Sequence, residues 1–279
     1  MSAARIVQAT DVESWRSHIG RTKRQQQMID AEVLRRFAAA TGASLNVEQS
    51  EPPLAHWAYF LDAVPPDRLG DDGHPLRGDF LPAIPLPRRM FAAASIRFER
   101  PLAVGQPAEC VSTIGDVTHK PGKSGDLVFV EVDRAVSQAG SLCIAERQTI
   151  VYRQAGARVP AVIASADGGD VGTLWQPGPV DLFRFSAVTF NAHRIHYDQL
   201  YACETEGYPD LVVHGPFTAT KLFAFARERA EAPIRSFSFR AMVPLFVGQP
   251  VRLTEGEEPG SVVAVRCDGM AAMKAKVEL

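Results

Sequence analysis

The chain has 279 residues, of which 46% are hydrophobic and 22% charged, the composition of a globular protein with room for one large or two ordinary domains. A net charge of -2 with no basic block or stripe argues against a nucleic-acid partner. No apolar run approaches the roughly 18 to 20 residues of a spanning helix, and the N-terminus lacks a signal-peptide core, so no membrane association is expected. Cys110, Cys143, Cys203 and Cys267 lie far apart, as expected of reduced thiols in a cytoplasmic protein.

In chain order, the pattern predicts a helix over 30–40, with Val33, Leu34 and Phe37 on one face and Gly42 as a stop. A short apolar helix is predicted over 54–61, ended by Val64-Pro65-Pro66. Residues 65–87 are rich in Pro and Gly and read as an irregular region, and loops of that length are often functional. Strands follow at 127–132 and 145–152, then a Gly, Ala, Pro and Asp-rich linker at 154–179. Asp198 is placed to cap a helix over 199–206. Pro216 opens the clearest helix, over 216–230, because proline needs no N–H partner in the first turn. A strand at 262–266 is predicted to pair across Asp268-Gly269 with a C-terminal strand at 273–279, where apolar and charged residues alternate.

A repeat sets the organisation. Pro101-Leu102-Ala103-Val104-Gly105-Gln106-Pro107 returns as Pro244-Leu245-Phe246-Val247-Gly248-Gln249-Pro250, identical at six of seven positions and 143 residues on (244 − 101). The match at half-length predicts a duplicated domain, with each copy a strand ending in a glycine turn. The resulting expectation is an α+β fold made twice: residues 1–153, a linker at 154–179, and residues 180–279.

The chemistry concentrates in Phe190-Asn191-Ala192-His193-Arg194-Ile195-His196-Tyr197-Asp198, followed by Val213-His214-Gly215-Pro216. Three imidazoles, an amide and a carboxylate precede a Gly-Pro step into an apolar helix. A histidine facing a helix N-terminus can move a proton while the helix holds developing negative charge. The histidines do not suggest a metal, because no nearby pattern completes a ligand set.

These residues resemble the MaoC-like hydratase family, whose motif is Asp-x-Asn-Pro-x-His with a later His-Gly step opening the central helix of a hotdog fold. Asn191 falls at the family's aspartate, His193 at its asparagine, Arg194 at its proline and His196 at its catalytic histidine. Pro85-Leu86-Pro87-Arg88-Arg89-Met90 and Phe185-Ser186-Ala187-Val188-Thr189-Phe190-Asn191 extend the resemblance to a branch with a degenerate N-terminal hotdog and an active C-terminal one. The resemblance implies a double hotdog, two antiparallel sheets each wrapping a central helix. It implies a hydro-lyase that adds water to a short branched dicarboxylic enoyl-CoA, itaconyl- or mesaconyl-C4-CoA, giving citramalyl-CoA. No cofactor beyond the CoA thioester substrate is implied, and pairing of such chains into a homodimer stays open.

On this resemblance His196 is the acid–base group, Asn191 the holder of the attacking water, and the Gly215 N–H the donor to the thioester oxygen. An asparagine cannot take a proton at ordinary pH, so the proton work falls to His196. His193 and His214 are weaker candidates for substrate contact, with His214 bracing the turn. Arg88, Arg89 and Arg194 are candidates for an anion, either a phosphate or a free carboxylate. Three alternatives stand beside hydration: dehydration of a 3-hydroxyacyl thioester in fatty-acid metabolism, thioester hydrolysis, and acyl-thioester binding without turnover. The absence of Asp and Glu from 216–226 weighs against the hydrolase.

Overall fold

The computed structural model describes residues 7–47, 51–122, 125–165 and 172–279. The first half contributes strands β1 (Thr22–Met28), β2 (Arg88–Phe98), β3 (Pro107–Gly122), β4 (Gly125–Gln138) and β5 (Ser141–Arg153). The second contributes β6 (Thr173–Trp175), β7 (Ser236–Ala241), β8 (Val251–Glu255), β9 (Ser261–Arg266) and β10 (Ala271–Glu278). All ten form one antiparallel sheet in the order β1-β3-β4-β5-β2-β7-β10-β9-β8-β6. Read outward from the β2–β7 junction, the two halves have the same order, as duplication requires. The junction pairs Ser95 with Ser238, which are themselves 143 residues apart (238 − 95 = 143). The repeat therefore relates the halves by a pseudo-twofold axis passing through this pair.

The repeated heptapeptide is not strand except at its last residue in the first copy, Pro107, which begins β3. It is the connection from β2 to β3 and from β7 to β8, and Gly105 and Gly248 sit at φ 76° and 74°. That backbone region favours glycine, which is why the turn residue recurs in both copies. The C-terminal hairpin forms as expected, with β9 and β10 paired across Gly269. The stretch read as a linker carries β6, an edge strand paired with β8. β6 is Thr173-Leu174-Trp175, and three residues give too short a pattern to recognise.

Among the described residues four α-helices accompany the sheet: α1 (Ala9–Arg16), α2 (Ala31–Thr41), α3 (Pro179–Val188) and α4 (Gly215–Arg227). Asp30 caps α2 by accepting from the Glu32 and Val33 N–H groups, and Gly42 ends it in the left-handed conformation. Helix α4 packs Phe217, Ala219, Leu222, Phe223 and Ala226 into the core shared with β7, β9 and β10.

The two halves differ where a central helix is expected. Between α2 and β2 the described residues of the first half hold just two short 3-10 turns, Ala55–Ala58 in place of the helix predicted over 54–61, and Pro66–Arg68. Leu54 and Phe60 bracket the first at positive φ, and residues 52–60 are buried on every side. A segment buried all round has no amphipathic period to propagate a helix. It is pinned instead by a polar core. Trp57 Nε1 donates to Glu146 Oε1 at 2.8 Å, and Gln148, Arg134 and His56 surround the same carboxylate. Burial alone would raise the Glu146 pKa, but His56 and Arg134 outweigh it and hold it at about 2. Among the described residues, then, only the second half keeps a long central helix. The residues that replace its counterpart, from Tyr59 onward, wall a cavity.

Candidate active site

The motif follows helix α3. Phe190, at φ 49°, takes the left-handed position after the helix, with the Phe190 N–H donating to the Ala187 carbonyl and the Asn191 N–H to the Ser186 carbonyl at 2.8 Å. Asn191 Oδ1 then accepts from the His193 N–H at 3.0 Å, closing a local turn and leaving the amide NH2 at the cavity wall. Asp198 Oδ1 accepts from the Tyr201 N–H, so the capping role read from sequence holds.

Four imidazoles form a column. His74 lies 4.1 Å from His193, His193 is edge-on to His196 at 5.4 Å, and His196 stacks on His214 at 3.6 Å, all between ring centroids. Asp72 Oδ2 meets His74 Nδ1 at one end (3.1 Å), and Ser186 Oγ meets His214 Nε2 at the other (2.8 Å). His196 Nδ1 lies 2.7 Å from the Val212 carbonyl oxygen. A carbonyl only accepts, so Nδ1 carries the proton and Nε2 keeps its lone pair. Burial makes each ring hard to protonate. It lowers the His196 pKa to about 4 and that of His193 to about 2, with His214 well below its usual value and His74 also lowered. Burial would raise the Asp72 carboxyl, but the hydrogen bond and charge of His74 prevail and hold it well below the carboxylate range.

Beside the column lies a cavity of about 1060 Å³, walled by His74, Arg89, Phe91, Ser186, Asn191 and Pro216 among others. The rings of His193, His196 and His214 stand behind this wall, and His196 is 7% exposed. Gly215 opens α4, where the first N–H groups have no intrahelical partner. A Cβ at Gly215 would lie 3.5 Å from the Phe91 carbonyl oxygen, ordinary contact, so packing within the protein does not demand glycine there.

Two arginines read as ligand candidates are committed to the protein. Arg88 is buried, pairs with Glu206 Oε2 at 2.9 Å and lies over the Tyr208 ring. Arg194 pairs with Asp198 at 2.7 Å, donates to the Asp71 carbonyl and lies over Tyr201. The alternation of β2 explains the split, because Arg88 points to one face and Arg89, with Phe91, to the cavity. His214, fully buried and bonded to Ser186, braces the site from behind rather than meeting a ligand.

The comparisons with known proteins agree with this geometry. The family model for hydroxyacyl-thioester dehydratase type 2 matches residues 54–247. The chain belongs to this family. It is 45% identical to mesaconyl-C(4)-CoA hydratase from Chloroflexus aurantiacus over 95% of this chain and 98% of that protein. Among solved structures it resembles a MaoC-like dehydratase from Phytophthora capsici, with a TM-score of 0.69, 16% identity and coverage of 96% of this chain and 97% of that one. It also resembles a conserved protein of Mycobacterium tuberculosis with a double hotdog fold, at a TM-score of 0.53, 12% identity and coverage of 93% and 95%. The chain is thus a hydro-lyase of the MaoC-like type on a double hotdog scaffold. In it the two halves share one continuous sheet.

Within this dehydratase-type family member, sequence reading missed Asp72 and His74. They sit in the irregular 65–87 region, more than a hundred residues before the motif, and only the fold joins them to it. The donor atoms of Asp72, His74 and His193 lie within 4.8 Å of one another, a grouping that sequence spacing did not offer. Asp72 and His74 already satisfy each other there, through both the ring and the His74 N–H.

The histidine column sets an acid limit on stability. His196 has a folded pKa of about 4, below the ordinary 6.5. The unfolded chain therefore binds protons first as pH falls. The column's contribution is complete above about 6.5 and is lost as pH drops from there toward about 4. The urea midpoint should decline across that window, and His196→Ala should flatten the decline. A profile level from pH 7 to pH 4.5 in the parent protein would contradict the buried neutral column.

Proposed function

We propose that this chain adds water across the double bond of a short branched dicarboxylic enoyl-CoA. Mesaconyl-C4-CoA, giving citramalyl-CoA, is the leading substrate. The observation that carries the reading is the His196 Nδ1 bond to the Val212 carbonyl, which leaves Nε2 as a neutral base next to the start of α4. Relationship to mesaconyl-C(4)-CoA hydratase supports the substrate class. Four free cysteines accord with a cytoplasmic setting.

In this reading the Asn191 amide holds water, and His196 Nε2 takes one of its protons. The oxygen bonds to the carbon β to the thioester, and the π electrons move onto the thioester oxygen as an enolate. The Gly215 N–H at the head of α4 donates to that oxygen, and one such preorganised donor supplies about 3–4 kcal/mol. The imidazolium then returns its proton to the α carbon, which restores the base. A ring that is neutral at working pH suits this cycle, because it must accept before it donates. Dehydration of a 3-hydroxyacyl thioester is the same path reversed and is the second reading, favoured by the family description.

The test is a kinetic panel of purified protein against mesaconyl-C4-, itaconyl- and crotonyl-CoA. Loss of enoyl-thioester absorbance with a preference for a dicarboxylic substrate is expected. Preference for crotonyl-CoA would favour the fatty-acyl reading. Release of free thiol, or binding without turnover, would remove hydration altogether.

A further inference from the structure

We propose that Arg89 forms the subsite for the free carboxylate of the substrate and so selects dicarboxylic acyl groups. This rests on the hydration reading above and adds the residue that sets its specificity.

Four cationic side chains line the cavity: Lys23, Arg77, Arg89 and Arg134. Three are engaged by the protein. Lys23 pairs with Asp62, Arg134 pairs with buried Glu146, and Arg77 donates to the carbonyls of Ile84, Leu86 and Pro87. Among the described residues Arg89 has no carboxylate or carbonyl partner. The groups its charge acts on are Tyr152, its neighbour across β5, together with His74, His193 and Arg77. None of these is a carboxylate, and Asp72, which acts on the same four groups, is already bonded to His74. A guanidinium in that company attracts a carboxylate, and its planar fork fits one through two parallel hydrogen bonds.

Its place along β2 suits this ligand. Phe91 shares its face, and the Phe91 carbonyl lies against Gly215 at the head of α4. Arg89 is two residues along the same strand, a step of roughly 6.6 Å. In mesaconyl-C4-CoA the free carboxylate sits on the carbon that receives the hydroxyl, and only the two alkene carbons separate it from the thioester carbonyl. With the thioester oxygen at Gly215, the carboxylate falls beside the imidazole column, where Arg89 already exerts its charge. Docking a carboxylate would also cancel the field with which Arg89 opposes protonation of His74 and His193.

Arg89→Gln and Arg89→Lys test the subsite through kcat/KM on mesaconyl-C4-CoA and crotonyl-CoA. Arg89→Gln should lower the dicarboxylic value by about 100-fold, mostly through KM, while crotonyl-CoA hydration stays within about threefold. Arg89→Lys should restore part of the loss, since it keeps the charge without the fork. An equal fall on both substrates, or no fall, overturns the proposal. A parent protein that hydrates crotonyl-CoA but no dicarboxylic substrate overturns the subsite and leaves hydration standing. A parent that hydrates neither overturns the functional reading itself, and the subsite with it. Thermal scans give an independent readout: free mesaconate should raise the Tm of the parent and not of Arg89→Gln, and equal shifts would refute the subsite.

Discussion

Replacing His196 with alanine is expected to abolish hydration while the fold survives. The ring is the base in the proposed cycle, and a positioned acid–base group typically contributes about 10²–10⁴-fold to rate. Nothing adjacent takes its place. His214 stacks on it but is tied to Ser186, His193 is driven to a pKa of about 2 by burial and its neighbours, and the Asn191 amide takes up no proton at ordinary pH. Removal of the ring leaves the Val212 carbonyl without its partner and a small void beside His214, a loss that a sheet of ten strands tolerates. Far-ultraviolet circular dichroism should match the parent. Steady-state kinetics on the preferred enoyl-CoA decide the matter: near-full turnover by His196→Ala removes this imidazole from the mechanism. Asn191→Ala should lose less, since it only orients water. A loss as complete as that of His196→Ala would contradict the orienting role.

Gly73→Ala is expected to lower both stability and turnover. Gly73 has φ 85°, and a Cβ there would lie 1.9 Å from the Ala192 carbonyl oxygen and 2.8 Å from its carbon. Those are backbone atoms of the catalytic motif, so no flexible side chain can swing aside. Arg194 holds the two segments together, its N–H donating to the Asp72 carbonyl at 2.9 Å and its guanidinium to that of Asp71. A methyl group must therefore push the loop carrying Asp72 and His74 away from Asn191 and His193. Overpacking of this kind costs about 1–3 kcal/mol, and the left-handed backbone adds about 1–2 kcal/mol. A displacement near 1 Å at a reacting centre lowers rate by about 100-fold. Gly105→Ala is the matched control, because Gly105 has φ 76° and nothing within 4 Å of its would-be Cβ. It should show only the backbone cost and keep full activity. Equal Tm and kcat for Gly73→Ala and Gly105→Ala would show that the loop does not bear on the motif.

Much of the site was legible because it is local. Asn191, His193 and His196 fall within six residues, and Gly215-Pro216 announces a helix start by its own stereochemistry. The duplication was legible too, since both copies of one turn need a glycine at the same left-handed position. The 54–61 segment misled because a short apolar run has no period that separates a helix from a buried irregular turn. The two arginines misled because a charge in sequence carries no partner. Glu206 claims Arg88 from 118 residues away.

Family chemistry, the repeat and the helix that presents Gly215 can all be read along the chain. These rest on backbone preferences and short-range spacing, which are properties of the chain. Tertiary structure alone decided that Asp72 and His74 from one half complete the imidazole column of the other, and that Arg89 rather than Arg88 faces the cavity. Such pairings depend on which strand lies beside which. That is set by burial of the whole core and by the β2–β7 junction, and no local stretch of sequence records it.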